Sequence, residues 1–465
     1  KAMPDGHWPG PIHQLLLSHR EPRRERPLPS RDHRADELLV PSNFIRAMRE
    51  AGYLSTAAAI AELVDNSLQA SASDIEITIK RDSPDSLPEI VVTDNGAGMS
   101  RGDLEACLRF GGTSRFDGRA SFGRFGMGLP AASLSQARHV EVTAWRSGGR
   151  EWAVNLDVDA VAAGERPSLI AQRGMASASA SGCRVRWTEC DRIEYRRLAW
   201  LERSLRRDLG RMYRRFLTAG VKLTINGMRV EPIDPTFLSA APDGAVSQLA
   251  IEELRYELTN HAGELSWVTV RFAILPIEEW YRLDNATKRR MGIVNAGTVS
   301  IMRAGREIAN GWHLMGTKRK ENYDDWWRCE VEFEPTLDEH FGITINKQGI
   351  RPSPTLRRVL EPDLEAIARS LNARVRQTFE DLKFRLAANA SCQIAAAADP
   401  YLPVLPSDAG AHGGGPLQYK LSTDQFPPDE LFMTSLKSNT LEVKLNVDHP
   451  AFHALYAPLQ AMIEG

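Results

Sequence analysis

Apolar residues alternate with polar ones in two stretches of the first half of the chain. Ile75, Ile77 and Ile79 are separated by polar residues, and a similar alternation runs from Trp152 to Val158. Successive side chains of a β-strand point to opposite faces of its sheet, so this pattern predicts strands that are buried on one face and exposed on the other. We therefore expect a sheet that is covered by other elements on one side.

Two segments instead show the three- and four-residue spacing of a helix. In the segment 55–70, Ser55 or Thr56 can cap the N-terminus. Its apolar stripe consists of Ile60, Leu63, Val64 and Leu68. The segment 195–217 has the clearer amphipathic pattern, with arginines on its other faces. We interpret those arginines as a solvated surface, with a nucleic-acid footprint as the alternative.

The second half of the chain also mixes both kinds of pattern over residues 245–385. Strand-like stretches occur at WVTVRFAIL, GTVSIMRAG and CEVEFEP, and a long helical pattern follows from Pro354 to Leu386. Together with the first half, this predicts the α+β fold class.

The remaining segments differ from these two regions in composition. Residues 1–40 are rich in Pro, Arg and His, which predicts an irregular N-terminal arm. Residues 387–416 are rich in Ala, Ser, Pro and Gly and predict a flexible linker. A strand pattern near LEVKLNV predicts a small C-terminal unit over 417–465.

Composition narrows the class of protein further. The 465 residues carry a formal net charge of −2, which excludes a chain that is held on nucleic acid by bulk charge. The five cysteines are scattered without a CxxC pair, so neither a disulfide framework nor a zinc site is predicted. No apolar run is long enough to span a membrane. These features predict a soluble cytoplasmic protein.

Three motifs carry candidate chemistry, and the first lies in the predicted helix 55–70. Glu62, Asn66 and Gln69 fall at i, i+4 and i+7 and so share one face. The neutral oxygen of Asn66 suits Mg²⁺, a hard ion that prefers oxygen ligands. The Glu62 carboxylate could accept a proton from an attacking water. A plain surface helix is the alternative for this segment alone.

The second and third motifs are glycine-rich turns. Asp94 ends the apolar strand pattern 90–93 and could accept the exocyclic amine of adenine, while Gly96 and Gly98 would let the base approach the backbone. Further along, Gly123, Gly126 and Gly128 precede a helical pattern. Backbone N–H groups of such a loop can bind phosphates, although a purely structural glycine loop is the alternative.

The three motifs occur in order as ELVDN at 62–66, DNGAG at 94–98 and GRFGMG at 123–128. This order resembles the GHKL superfamily of ATPases, named for gyrase, heat-shock chaperone, histidine kinase and MutL. The resemblance implies an ATP-binding (Bergerat) α/β sandwich over 41–235, with Glu62 as general base, Asn66 on Mg²⁺ and Asp94 on adenine. It implies an ATP lid at 111–125, and the implied nucleotide contacts are Gly96, Gly98, Met99, Thr113, Ser114, Arg115, Gly123, Arg124, Phe125, Gly126, Met127 and Gly128. Where relatives carry a threonine near adenine, this chain has Gly182-Cys183.

The resemblance extends to the segment 245–385, which looks like the S5-like transducer domain of gyrase, MutL, chaperone and MORC proteins. In that domain a loop lysine reaches the γ-phosphate, and the matching residue here is Lys347 in GITINKQGIRPS. The phrases GRFGMG and NKQ are most similar to those of MORC-like proteins, including their prokaryotic relatives. The resemblance therefore implies a slow ATPase whose nucleotide-dependent closure and homodimerisation act as a switch or clamp.

The client of such a switch is left open between DNA and protein. The candidate DNA footprint comprises the helix 196–215, the arm 20–34 and the run Lys318-Arg319-Lys320. A chaperone-like or non-hydrolysing ATP-dependent scaffold is the alternative. A sensor histidine kinase is less consistent with the sequence, because its asparagine-bearing helix generally lacks the glutamate four residues upstream.

Overall fold

The computed structural model describes residues 40–459 except for 51, 54, 113–125, 166, 177–179, 196, 240, 242, 296–297, 344–348, 399–417 and 438–439. Two hydrophobic cores lie within it, one formed between Ile45 and Val230 and the other between Phe237 and Leu382. We refer to the two parts of the chain around these cores as the first and second units. The predicted arm 1–40 lies outside the described residues except for Val40.

An eight-stranded sheet forms one layer of the first unit, in the order β5-β4-β3-β6-β2-β1-β7-β8. The strands are β1 Asp74–Lys80, β2 Glu89–Asp94, β3 His139–Trp145, β4 Arg150–Asp157, β5 Gln172–Ala176, β6 Gly182–Thr188, β7 Lys222–Ile225 and β8 Met228–Arg229. Neighbouring strands are antiparallel except for β1 and β7, which are parallel. Ile75, Ile77 and Ile79 are buried whereas Glu76 and Lys80 are exposed, so the predicted one-sided strand is confirmed.

Helices pack on the buried side of this sheet and complete the first core. They are α1 Pro41–Glu50, α2 Thr56–Gln69, α3 Arg101–Cys107, α4 Gly128–Gln136, α5 Val158–Ala162, α6 Leu198–Met212 and α7 Arg214–Thr218. Of the two candidate caps of α2, Ser55 is the one used, because its side chain accepts a hydrogen bond from the N–H of Ala58 at 3.1 Å.

A mixed six-stranded sheet forms the second unit, in the order β10-β11-β14-β12-β13, with β9 also paired to β11. The strands are β9 Gln248–Leu249, β10 Leu254–Thr259, β11 Leu265–Ile274, β12 Val299–Arg303, β13 Arg306–Gly311 and β14 Trp327–Phe333. The helices are α8 Ile277–Trp280, α9 Asn285–Met291, α10 Asp338–Phe341 and α11 Pro354–Ala398, with 3₁₀ turns at Asn322–Trp326 and Pro335–Leu337. The three strand patterns predicted in this region correspond to β11, β12 and β14.

The long helix α11 covers the second core with residues spaced three or four apart. Its fully or nearly buried positions include Leu356, Leu360, Leu364, Ala368, Leu371 and Val375. The helix continues to Ala398, beyond the predicted end at Leu386, so the first part of the expected linker is helical. The rest of that linker, 399–416, lies outside the described residues.

A small three-stranded sheet follows, in the order β15-β17-β16. The strands are β15 Gln418–Asp424, β16 Phe432–Lys437 and β17 Thr440–Asn446, and a π-helical turn covers Phe452–Tyr456. The strand predicted near LEVKLNV is β17. Strand β15 packs against α11, and the rings of Phe384 and Tyr456 lie 5.9 Å apart, so this sheet rests on the long helix.

Arginines of α6 and α7 join the first unit to the second. Arg211 and Arg214 both bind Glu307 of β13, at 2.6 and 2.8 Å, and Arg214 also binds Glu330 of β14 at 2.6 Å. The Arg214 side chain is only 5% exposed. The prediction that this helical segment presents its arginines to solvent is therefore wrong at its C-terminal end, because glutamates from a distant sheet bind them there.

The lysine run that was predicted as a basic surface is also partly buried. Lys318 is 1% exposed and binds the fully buried carboxylate of Asp324 at 2.8 Å. Its ammonium also lies 5.0 Å from the centre of the Trp312 ring. Lys318 is therefore part of the second core, and it no longer belongs to the candidate DNA footprint. Among the described residues, none of the helices has the length and apolar character needed to cross a bilayer.

Candidate functional site

The helix α2 carries the predicted catalytic and metal-binding side chains. Glu62 is 3% exposed, and its neighbour Asp65 is fully buried. Asn66 and Gln69 are half-buried on the same helix. Burial of a carboxylate is costly unless the surroundings compensate its charge, so this arrangement of polar residues requires partners that a simple surface helix does not need. The plain surface helix is therefore excluded for this segment.

The first residue of α4 lies directly against Glu62. A Cβ atom placed on Gly128 would lie 2.5 Å from Oε2 of Glu62, closer than side chains tolerate. Just before it, Gly126 adopts a φ of +59°, which favours glycine, and its carbonyl oxygen accepts a hydrogen bond from the N–H of Gly111. The glycines at 126 and 128 thus bring the N-terminus of α4 to the carboxylate.

Some of the predicted nucleotide contacts, and Lys347, lie outside the described residues. Met127 is half-buried as the N-cap residue of α4. The remaining residues of the lid and glycine loop lie outside the described part of the chain. These are Thr113, Ser114, Arg115, Gly123, Arg124 and Phe125.

Asp94 ends β2 and is tied to α2 by a hydrogen bond. The hydroxyl of Ser67 donates to Oδ2 of Asp94 at 2.8 Å, and the N–H of Gly96 donates to Oδ1 at 2.8 Å. Burial raises the pKa of Asp94, while the hydrogen bonds from Gly96, Ser67 and the backbone of Cys183 oppose that rise. Asp94 is therefore a buried acceptor whose orientation is set by two donors. Sequence reasoning missed the role of Ser67, although it follows Asn66 directly.

The turn after Asp94 is packed so closely that it requires glycine. A Cβ on Gly96 would lie 2.7 Å from that of Ala70, and a Cβ on Gly98 would overlap the carbonyl oxygen of Trp145. Gly98 also has a φ of +66°, and Met99 next to it packs partly buried against the first core. These contacts account for both glycines by packing within the protein.

The stretch Gly182-Cys183 lies beside Asp94, as the family resemblance implied. Cys183 is paired with Asp94 in the ladder between β2 and β6. Burial raises the pKa of the Cys183 thiol, and the nearby charge of Asp94 raises it further. A neutral thiol therefore stands where relatives carry a threonine.

A buried polar cluster around Asp65 of α2, next to Glu62, had no counterpart in the sequence reasoning. The hydroxyl of Tyr213 lies 2.7 Å from Oδ1 of Asp65 and 2.7 Å from the carbonyl oxygen of Ala61. Arg306 of β13, in the second unit, lies 2.8 Å from Oδ2 of the same carboxylate. Neither partner could have been found from sequence periodicity, because both lie far from Asp65 along the chain.

The spacing of these contacts along α2 defines the length of the site. Glu62 faces the start of α4, and Ser67 holds Asp94; five residues of helix separate them, or about 7.5 Å at the usual rise per residue. One end of the site has the Glu62 carboxylate and the glycine turn before α4, and the other end has Asp94 as an acceptor for an amine. This arrangement suits a ligand that carries phosphates at one end and a base at the other.

The donors available for a metal ion are consistent with magnesium bound mainly through its substrate. Asn66 supplies a half-buried amide on α2, one helical turn after Glu62. Within the described ranges, no group of three or more His, Cys, Asp or Glu residues is arranged to hold a metal. Mg²⁺ usually keeps several waters and binds through one or two protein oxygens plus substrate phosphates, so a single amide ligand fits this ion.

Comparison with known families supports the same assignment for part of the chain. Residues 54–181 match the family model described as "Histidine kinase-, DNA gyrase B-, and HSP90-like ATPase". The matched segment includes Glu62, Asn66 and Asp94 as well as the glycines up to Gly128. No curated protein matches the chain. The family match and the mixed α/β architecture support an ATP-binding domain of the GHKL type in the first unit.

Proposed function

We propose that this chain binds ATP along α2 and hydrolyses it at the Glu62 end. One structural observation carries the proposal. A single helix places the buried Glu62 carboxylate against the first residue of α4, and Ser67, about 7.5 Å further along the helix axis, holds the buried Asp94 carboxylate. The family match to ATPases over 54–181 gives the ligand that such a site accommodates.

The roles of the side chains follow from their positions. Asp94 accepts the exocyclic amine of adenine, and Ser67 and Gly96 keep its two oxygens oriented. The backbone N–H groups at the start of α4 face the phosphates, where the helix dipole favours negative charge. Glu62 takes a proton from the water that attacks the γ-phosphorus, a task that requires an ionised carboxylate beside the phosphates.

Magnesium would be held by the amide oxygen of Asn66 together with phosphate oxygens of the substrate. When bound, the ion neutralises charge that develops on the phosphates. Asn66 lies one turn of α2 beyond Glu62, and this spacing presents the neutral oxygen ligand and the general base on the same face of the helix.

The second unit provides the means for nucleotide binding to change the shape of the protein. We propose that it acts as an S5-like transducer, that Lys347 contacts the γ-phosphate, and that ATP binding drives closure and homodimerisation, as in MORC-like ATPases. GHKL ATPases often dimerise, which supports the last point. Only ATP offers the γ-phosphate to Lys347, so hydrolysis would release the contact and reset the switch.

DNA and protein remain the two candidate clients of this switch. Arg211 and Arg214 face the second unit rather than solvent, and Lys318 is buried, so the candidate DNA footprint is smaller than the sequence implied. Arg197, Arg203 and other exposed arginines of the α6 region remain available for phosphate contacts. A chaperone-like role or a non-hydrolysing scaffold is the alternative to a DNA clamp.

Replacement of Glu62 tests the proposed chemistry. Glu62→Ala should bind ATP but hydrolyse it about 10²–10⁴-fold more slowly, because the general base is lost. Asn66→Ala should instead lose Mg²⁺-dependent binding. Phosphate release and equilibrium ATP binding, each measured with and without Mg²⁺, separate the two effects.

Glu76→Ala is the matched control, because Glu76 is an exposed glutamate on β1 of the same unit. It should hydrolyse ATP like the wild type. Hydrolysis by Glu62→Ala at the wild-type rate would make the catalytic assignment wrong. A wild-type protein that binds ATP without hydrolysing it would support the scaffold alternative.

A further inference from the structure

A buried ion pair connects the second unit to the helix that carries Glu62. Arg306, the first residue of β13, lies with Nη1 2.8 Å from Oδ2 of Asp65 in α2. The two side chains are 5% and 0% exposed. Asp65 stands three residues after Glu62 and directly before Asn66, so the contact is made inside the proposed catalytic segment.

The two units hold the Asp65 carboxylate together. Its Oδ1 lies 2.7 Å from the hydroxyl of Tyr213, which follows α6 of the first unit. The guanidinium of Arg306 also lies 5.7 Å from the centre of the Tyr213 ring, within the range of a cation–π contact. Asp65 is thus fixed from one side by its own unit and from the other by the second unit.

The charge of Arg306 acts on Glu62 as well as on Asp65. Burial by itself would lower the pKa of Arg306, yet the nearby carboxylates, first Asp65 and then Glu62, raise it. The guanidinium therefore compensates part of the negative charge of the catalytic glutamate. Tyr53 and Tyr213 stay neutral, because burial raises the pKa of both hydroxyls.

The position of Arg306 is itself fixed by the neighbouring ion pairs between the two units. The next residue, Glu307, is 2% exposed and binds both Arg211 and Arg214 of the first unit. Buried, multiply bonded ion pairs resist separation, because each charge left alone in the interior is strongly disfavoured. A shift of the β12–β13 hairpin relative to the first unit must therefore move or break the contact with Asp65.

We propose that Arg306 is a positioning residue through which the second unit holds α2, and with it Glu62, in the arrangement needed for hydrolysis. This inference rests on the proposed ATPase function. Arg306 acts through Asp65, the carboxylate that it contacts. Without Arg306, the buried Asp65 carboxylate would draw in water or shift α2. Because Glu62 lies one turn away on the same helix, such a shift would displace it as well.

Three variants of this pair test the proposal. Arg306→Met removes the charge but keeps much of the volume, and it should lower kcat about 10²-fold while KM for ATP stays nearly unchanged, the effect expected from a displaced catalytic group. Arg306→Lys retains a positive charge and should recover part of the loss. Asp65→Asn combined with Arg306→Met removes both charges, so no unpaired buried charge is left to unfold the protein.

The double variant separates positioning from charge compensation. It should fold and bind ATP, yet its kcat should stay low, because the connection between the units is still missing. Amide hydrogen exchange across Thr56–Gln69, measured without nucleotide, should be faster in both variants that carry Arg306→Met than in the wild type.

Arg303→Met is the matched control from the same hairpin. Arg303 is 3% exposed and binds Asp338 through two contacts of 2.6 and 2.7 Å, but both residues belong to the second unit. This variant should keep the kcat and the α2 exchange rates of the wild type. Wild-type kcat in the double variant, or an equal loss in Arg303→Met, would overturn the proposal. If the wild type does not hydrolyse ATP, the proposed function fails, while the exchange rates still decide whether Arg306 holds α2.

Discussion

The contact between Gly128 and Glu62 allows the catalytic carboxylate to be displaced without disturbing the fold. In Gly128→Ala, the new methyl group would lie 2.5 Å from Oε2 of Glu62. Ordinary contact begins at 3.4 Å, so the carboxylate must move by about 0.9 Å. The atom in the way is the end of a flexible side chain, and the move is therefore cheap for the protein.

The expected effect on catalysis is large by comparison. A displacement of about 1 Å in a reacting group can cost about 10²-fold in rate, which corresponds to about 2.7 kcal/mol of activation barrier. Thermal stability should not fall, because alanine in a helix at an ordinary φ stabilises a protein by about 0.4–1 kcal/mol relative to glycine. We therefore expect a folded protein that binds ATP but hydrolyses it slowly.

The assay compares phosphate release at saturating ATP with ATP affinity and with the melting temperature. Gly102→Ala in α3 is the matched control, since a Cβ there meets nothing within 4 Å, and it should behave like the wild type. Gly128→Ala combined with Glu62→Ala should be no slower than Glu62→Ala alone, because both changes remove the same group's contribution. Wild-type hydrolysis by Gly128→Ala would contradict the expected effect of displacing the Glu62 carboxylate. Loss of ATP affinity would also contradict it, since the glycine would then serve the nucleotide directly.

Two further predictions concern the switch and its client. Lys347→Ala should bind ATP nearly normally but hydrolyse it about 10–10³-fold more slowly. It should also fail to compact or dimerise with a non-hydrolysable analogue, which solution scattering measures. Closure and hydrolysis like the wild type would contradict the transducer proposal. If DNA is the client, binding of labelled duplex should weaken steeply as the salt concentration rises, because each neutralised phosphate releases counterions. Absence of binding at low salt, with and without nucleotide, would favour a protein client.

The sequence alone was sufficient for the features that depend on local order. Alternation at Ile75, Ile77 and Ile79 predicted a strand buried on one face, and the structure contains this strand. The helix 55–70 was likewise expected. The ATPase motifs could be recognised because their residues are grouped in short segments with fixed spacing, and the family match covers the same segments.

The end of the long helix was not predictable from the same kind of signal. Residues 387–398 are rich in alanine, which favours a helix by intrinsic propensity, but they lack the regular apolar stripe that marks the earlier turns. Their composition was therefore interpreted as the start of a linker. Packing of β15 and Tyr456 against α11 accompanies the continuation of this helix.

Charge partners that are distant in sequence were decided only by the tertiary structure. Arg214 and Lys318 have the sequence context of surface cations, yet Glu330 and Asp324 bind them in the interior. The same holds for Arg306 and Asp65, which belong to different units. An ion pair depends on the positions of two side chains in space, and periodicity along the chain constrains only one of them. The sequence therefore indicated the candidate residues for the chemistry, while the fold determined which residues contact them.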